Sequence, residues 1–141
     1  MNVRDFFDFA LWSAGVGHFI ILVASFQVPR QLRWKTDLAQ LTPFNRKLLW
    51  VQSGFTVLTI IAFGTLTLVL HRELLRGDRA ALALAVFIAS YWTARILVDA
   101  FYFSHDDWPQ GRRFVLGHIL LISLFVFLAG LNWALVWWHL R

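Results

Sequence analysis

Two charged residues, Arg95 and Asp99, interrupt an otherwise apolar segment of the sequence. They are one helical turn apart, so in an α-helix their side chains share a face and can form an ion pair. A charge near the centre of a bilayer costs at least ~2.5–3.5 kcal/mol, and such residues usually face the interior of a helix bundle. The spacing predicts a structural ion pair that holds this helix against its neighbours. The alternative is a functional pair, in which the Asp99 carboxylate takes up and loses a proton and Arg95 releases that carboxylate.

Two histidines, His18 and His118, also lie within apolar segments, and each follows a glycine. Neutral histidines from two helices are good axial ligands for haem iron, and small neighbouring residues let a flat macrocycle approach the backbone. Arg95 would then meet a haem propionate. The two histidines reach the same depth only if the fourth helix begins near Pro109. The alternative is that each histidine makes an interhelical hydrogen bond and that the glycines allow close helix contact.

Further polar residues lie in the half of each apolar segment that is nearer to the first or the third loop. Gln52 and Thr56 lie near the start of the second segment, and Tyr102 lies near the end of the third. Every segment thus contributes polar groups near the first and third loops, which predicts an internal polar pocket there. A quinone or lipid-like molecule fits such a pocket, because it needs an apolar slot and a few convergent polar groups. The predicted lining is His18, His118, Arg95, Asp99 and Gln52.

The segments that would position these residues are long and apolar. Of the 141 residues, 59% are hydrophobic and 15% are charged, against about 25% charged in average soluble domains. Four apolar segments span about residues 9–28, 48–70, 80–103 and 114–138. About 20 apolar residues cross a bilayer, and lipid offers no partners for backbone polar groups. The sequence therefore predicts an all-α integral membrane protein, with residues 1–141 forming one antiparallel four-helix bundle.

Helix boundaries are marked by capping residues. Thr42, followed by proline, is expected to begin the second helix, which continues to Gly77. Asp78 can cap the third helix. Asp107 and Gln110 have the spacing of a capping box for the fourth.

The first loop, residues 30–47, contains a second helical pattern. Trp34, Leu38 and Leu41 recur at helical spacing, with polar residues on the other faces. This pattern predicts a short helix lying in the headgroup region. The alternative is an irregular polar connector.

Charge and composition restrict the remaining classes. Seven Lys and Arg residues lie in loops one and three and five on the opposite side, which places loops one and three in the cytoplasm of a cell membrane. The net charge of +5 follows from these flanking residues, so we do not expect nucleic-acid binding. The absence of cysteine excludes disulfides and thiolate metal sites.

The sequence favours a non-catalytic membrane subunit that binds an amphipathic cofactor or ligand, quinone-like, lipid-like or haem b. Its expected partners are the bilayer and other membrane subunits or further copies of itself. One alternative is an enzyme with His18 or His118 as acid or base and with Arg95 and Asp99 orienting the substrate. Another is a proton-coupled carrier that uses Asp99 and Arg95.

Overall fold

The computed structural model describes residues 2–104, 106 and 111–141, and within them the regular structure is helical, with no strand. The described residues include four helices that are long and apolar enough to cross a membrane. This confirms the all-α prediction and the four apolar segments. The helices in chain order are α1 (Val3–Ser25), α2 (Val28–Gln31), α3 (Trp34–Asp37), α4 (Pro43–Val69), α5 (His71–Arg76), α6 (Arg79–Phe101) and α7 (Arg112–Leu140).

Several helix ends follow from the capping residues. The Thr42 side chain accepts a hydrogen bond from the Asn45 N–H at 3.4 Å and begins α4, as predicted. Gly77 ends α5 with a φ of 77°, a left-handed conformation that glycine adopts without steric cost. The predicted continuous helix up to Gly77 is instead interrupted at Leu70, where α4 ends and α5 begins. Asp78 occupies the N-cap position of α6, but its side chain makes no capping hydrogen bond.

The connections at the other end of the helices differ in detail from the prediction. Loop one contains α2, α3 and a 3₁₀ turn at Leu38–Gln40, where a single short helix carrying Trp34, Leu38 and Leu41 was predicted. Arg33 joins α2 to α3 with a φ of 51°. α7 begins at Arg112 with Gly111 at its N-cap. The predicted capping box of Asp107 and Gln110 lies outside the described residues.

The buried side chains are all found in one half of the protein. Within the described residues they lie between positions 7–21, 60–74, 81–92 and 125–136, and these ranges are called the packed half. Residues 22–59, 93–104 and 111–124 contain no buried side chain, and they are called the open half. Direct contacts hold the packed half together, since α1 packs on α4 and α7, and α6 packs on α7.

Small residues allow the helices of the packed half to approach closely. A Cβ atom added to Gly64 would lie 2.9 Å from Cε2 of Phe19 and 3.1 Å from Cβ of His18. A Cβ atom on Gly17 would lie 3.1 Å from Cδ1 of Leu124. Helix association in lipid depends on such van der Waals packing, because lipid tails are as apolar as leucine. The glycines therefore determine which residues of α1 face α4 and α7.

Candidate functional site

His18 lies at the centre of the packed half, where both of its ring nitrogens are hydrogen-bonded. Its Nδ1 lies 2.7 Å from the carbonyl oxygen of Ala14, and the indole N–H of Trp92 donates to its Nε2 at 3.1 Å. Because Nε2 accepts, Nδ1 carries the hydrogen and donates to the carbonyl. Trp92 in turn stacks on Phe125 with 4.6 Å between ring centroids. The contacts of His18 are thus those of an interhelical hydrogen bond between α1 and α6.

The structure does not bring His18 and His118 to one depth. Gly17 of α1 faces Leu124 of α7, which is six residues beyond His118. Six helical residues correspond to a rise of ~9 Å along α7. His118 makes its own contact elsewhere, on α6. A shared macrocycle between these histidines is therefore not supported by their placement.

Asp99 is paired with His118. Its Oδ2 atom lies 3.1 Å from Nε2 of His118. The side chains of His118 and Asp99 are 20% and 25% exposed. Arg95 is exposed, and within the described part of the chain it has no carboxylate oxygen within 4.0 Å. The predicted Arg95–Asp99 ion pair is therefore wrong. The physical reason is that α7 packs on α6 and brings a histidine to the carboxylate, while Arg95 stays exposed.

The remaining predicted polar residues do not line a common interior. Gln52, Thr56 and Tyr102 are all exposed. The hydroxyl of Thr56 donates to the backbone carbonyl of Gln52 at 3.1 Å, so this hydroxyl is satisfied within α4. Of the polar residues predicted for the pocket, only His18 is buried, and it lies in the packed half.

A cleft of ≈ 490 Å³ lies in the open half, between the end of α1, α2 and the start of α7, and is called the α1–α7 cleft. Its lining combines apolar side chains with a few polar groups, as amphipathic ligand sites do. His118 is the one predicted site residue among the cleft residues. The polar lining residues are Ser25, Gln27, Gln31, Arg113 and His118, and the apolar ones are Ala24, Val28, Leu32, Phe114 and Leu121.

Glycine forms part of the cleft wall on α7. Gly117 lines the cleft, and a Cβ atom added to it would meet nothing within 4 Å. The glycine is therefore not required for helix packing, in contrast to Gly64. Its lack of a side chain leaves space beside His118.

Sequence reasoning missed Gln27, Gln31 and Arg113 as lining residues. Gln27 and Gln31 are four residues apart, as are Val28 and Leu32, so both pairs recur at helical spacing across the end of α1. This amphipathic continuation beyond the first apolar segment was the available signal. It was hidden because residues after Val28 were assigned to a loop.

Within the described residues, no group of three or more histidine, aspartate or glutamate side chains is placed to hold a metal ion. Comparison with protein-family models, with curated proteins and with solved structures found no match for this chain. The chemistry of the site therefore rests on its own residues.

Proposed function

We propose that the protein is a non-catalytic membrane binding module that holds a quinone-like or lipid-like molecule in the α1–α7 cleft, as a subunit of a larger membrane assembly. One observation carries this proposal: the described helices bury side chains in one half only, and the other half contains an amphipathic cleft. A bundle that served only to be stable would gain from packing along its whole length, because van der Waals contact drives helix association in lipid.

The size and lining of the cleft suit such a ligand. Its ≈ 490 Å³ lies within the range of roughly 300–1,000 Å³ that is common for small-molecule sites. The Arg113 guanidinium and the amides of Gln27 and Gln31 offer hydrogen-bond donors for a carbonyl or phosphate oxygen. Val28 and Leu121 supply apolar surface for a ring or chain.

The His118–Asp99 pair holds a polar side chain of the cleft wall in place. A carboxylate that accepts a hydrogen bond from one imidazole nitrogen fixes the orientation of the ring. In this way α6, which does not line the cleft, contributes to holding a cleft residue of α7. The ligand we propose therefore meets a histidine of fixed orientation.

The proposed membrane arrangement is an antiparallel bundle with loops one and three in the cytoplasm and α2–α3 at the interface. It is supported by contacts between the start of α1 and the far ends of other helices. Asp8 lies 2.7 Å from His71, which follows the end of α4, and Phe7 stacks on Trp138 near the end of α7. Because the chain has no cysteine, single cysteines at Lys35, Asp78 and Arg112 can be labelled from either side of the membrane. Positions 35 and 112 should react from one side and 78 from the other; any other grouping contradicts the arrangement.

The exposure of Arg95 supports the proposal that the protein is a subunit of a larger membrane assembly. Arg95 is exposed on α6, a helix long and apolar enough to span a membrane, and a charge there is costly unless it is paired or reaches the headgroups. We propose that a carboxylate of another subunit, or of a second copy, covers it. Cross-linking from position 95 in native membranes should therefore yield a discrete higher-mass species, which a cysteine at exposed Val69 should not form to the same extent.

The binding proposal is tested by filling the cleft. Gly117→Phe adds a bulky side chain to a cleft residue whose Cβ would meet nothing within 4 Å, and Gly130→Phe is its matched control. Gly130 lies on the same helix, is also open to at least 4 Å, and does not line the cleft. After mild extraction, mass spectrometry should find a stoichiometric apolar molecule with the wild type and with the control. Its occupancy should fall at least about tenfold with Gly117→Phe, which corresponds to ~1.4 kcal/mol.

Equal occupancy in both variants would contradict the assignment to the α1–α7 cleft. No co-purifying molecule in the wild type would contradict a resident ligand altogether. The same measurement also reports the ligand's mass and hence its chemical class.

The Asp99–His118 contact favours one second candidate, an enzyme or proton carrier in which this pair moves a proton. A histidine oriented by a carboxylate is a common general base. In vesicles, His118→Gln and Asp99→Asn should then abolish pH-dependent turnover or transport, while leaving ligand occupancy measurable. Retained ligand with no turnover in the wild type favours the binding module.

A further inference from the structure

A second cleft of ≈ 520 Å³ lies on a different face of α2 from the α1–α7 cleft. It is formed by α2, α3 and the first turns of α4, and it is called the basic cleft. Its lining comprises Pro29, Arg30, Arg33, Trp34, Lys35, Leu38, Ala39, Arg46 and Trp50. Four of these side chains are cationic and none is acidic, so the cleft is complementary to an anion.

The four cations are not neutralised by neighbouring carboxylates. Among the described residues, no Asp or Glu oxygen lies within 4.0 Å of Arg30, Arg33, Lys35 or Arg46. Asp37 is the acidic residue of α3, and it does not line the cleft. Arginine forks match the geometry of phosphate oxygens, and concentrating them in one cleft without an anion is electrostatically unfavourable.

The backbone holds this arrangement at a conformational cost. Arg33 has a φ of 51°, in the left-handed region that residues with a Cβ rarely adopt. This residue separates α2 from α3, so its conformation sets the angle at which Arg30 and Trp34 meet around the cleft. Backbone outliers of this kind concentrate at ligand sites.

Two tryptophans lie beside the cations of the basic cleft. The rings of Trp34 and Trp50 meet edge to face with 5.5 Å between their centroids. Trp50 follows Arg46 by one turn of α4, so the indole and the guanidinium share a face. Indoles concentrate at the level of lipid headgroups, where phosphates are also found.

We propose that the basic cleft binds the phosphate-bearing headgroup of an anionic phospholipid. The guanidinium groups of Arg33 and Arg46 contact the phosphate, and the tryptophan pair contacts the glycerol and upper acyl region. This site is separate from the α1–α7 cleft and does not depend on the function proposed for that cleft.

The test is a lipid titration of the delipidated full chain in detergent, followed by native mass spectrometry. Phosphatidylglycerol should form a one-to-one complex more tightly than phosphatidylcholine with the same acyl chains. Arg46→Gln should weaken phosphatidylglycerol binding about fivefold, since a basic residue near an anionic surface contributes about that factor. Arg112→Gln, an exposed arginine that lines neither cleft, should leave the affinity unchanged.

Arg33→Gly provides a variant that keeps the fold. A glycine accepts the φ of 51° without strain, so stability should be retained or increased while the lipid affinity falls about fivefold. Gly117→Phe should leave phosphatidylglycerol binding unchanged, which separates this site from the α1–α7 cleft.

Equal affinity for the two lipids, or wild-type affinity in both arginine variants, would overturn the proposal. Displacement of the lipid by inorganic phosphate, but not by sodium chloride of equal ionic strength, would show that the cleft takes soluble phosphate, and the lipid assignment would then fail. Binding that is lost equally in Arg112→Gln would show a diffuse surface-charge effect and would also overturn it.

Discussion

His18 and His118 illustrate how the packed half and the open half differ. Both follow a glycine within an apolar segment, yet His18 is completely buried and His118 lines a cleft. In the packed half, Gly17 is pressed against Leu124, whereas the space beside Gly117 is open. The same dipeptide thus serves helix packing in one place and leaves open space beside a cleft in the other.

The difference teaches that polar residues in this bundle have two distinct uses. In the packed half the His18–Trp92 hydrogen bond joins α1 to α6 and leaves neither ring nitrogen of His18 unpaired. In the open half the His118–Asp99 pair joins α6 to α7 at the edge of a cleft. The stability of the protein should therefore depend on the packed half, and ligand binding on the open half.

The largest expected effect comes from truncating the tryptophan at the centre of the packed half. Trp92→Ala removes the stack on Phe125 and leaves Nε2 of His18 unpaired, so unfolding in mixed micelles should become easier by about 3–5 kcal/mol. Trp50→Ala is the control in the open half, where the side chain is 50% exposed, and it should cost less than about 1 kcal/mol. Similar losses for the two variants would remove the distinction between the halves.

A smaller effect is expected from two glycines of α4. Gly64→Ala would place its Cβ 2.9 Å from the Phe19 ring, so the ring or the spacing of α1 and α4 must shift, at a cost of about 1–3 kcal/mol. Gly54→Ala meets nothing within 4 Å and should stabilise the helix by about 0.5–1 kcal/mol. Thermal unfolding should move in opposite directions for the two variants. A shift of the same sign in both would contradict the assigned packing.

The smallest effect concerns the Asp99–His118 pair of the open half. A double-mutant cycle with Asp99→Asn and His118→Gln should give a coupling energy of about 0.6 kcal/mol, the usual size for an interhelical hydrogen bond in a membrane. The cycle of Asp99→Asn with Arg95→Gln should give less than about 0.3 kcal/mol, because those side chains are not in contact. Stronger coupling to Arg95 would restore the ion pair expected from their spacing.

Features that depend on neighbouring residues along the chain could be predicted from the sequence. The four helices that are long and apolar enough to span a membrane follow from the length of the apolar segments, and the ends at Thr42 and Gly77 follow from local backbone chemistry. The burial of His18 was also indicated, because an ionisable group in an apolar segment usually faces other helices. These are properties of one helix at a time.

The partners of those helices were decided by the tertiary structure alone. The sequence placed Arg95 and Asp99 on one face, but only the packing of α6 against α7 determined that Asp99 meets His118 and that Arg95 stays exposed. The depth of His18 relative to His118 likewise depends on which glycine contacts which leucine. Helical periodicity fixes the relative positions of side chains on one helix, whereas the rotation and axial shift between helices result from packing over the whole bundle. For this reason the polar residues were found from the sequence, and the cleft was found only from the fold.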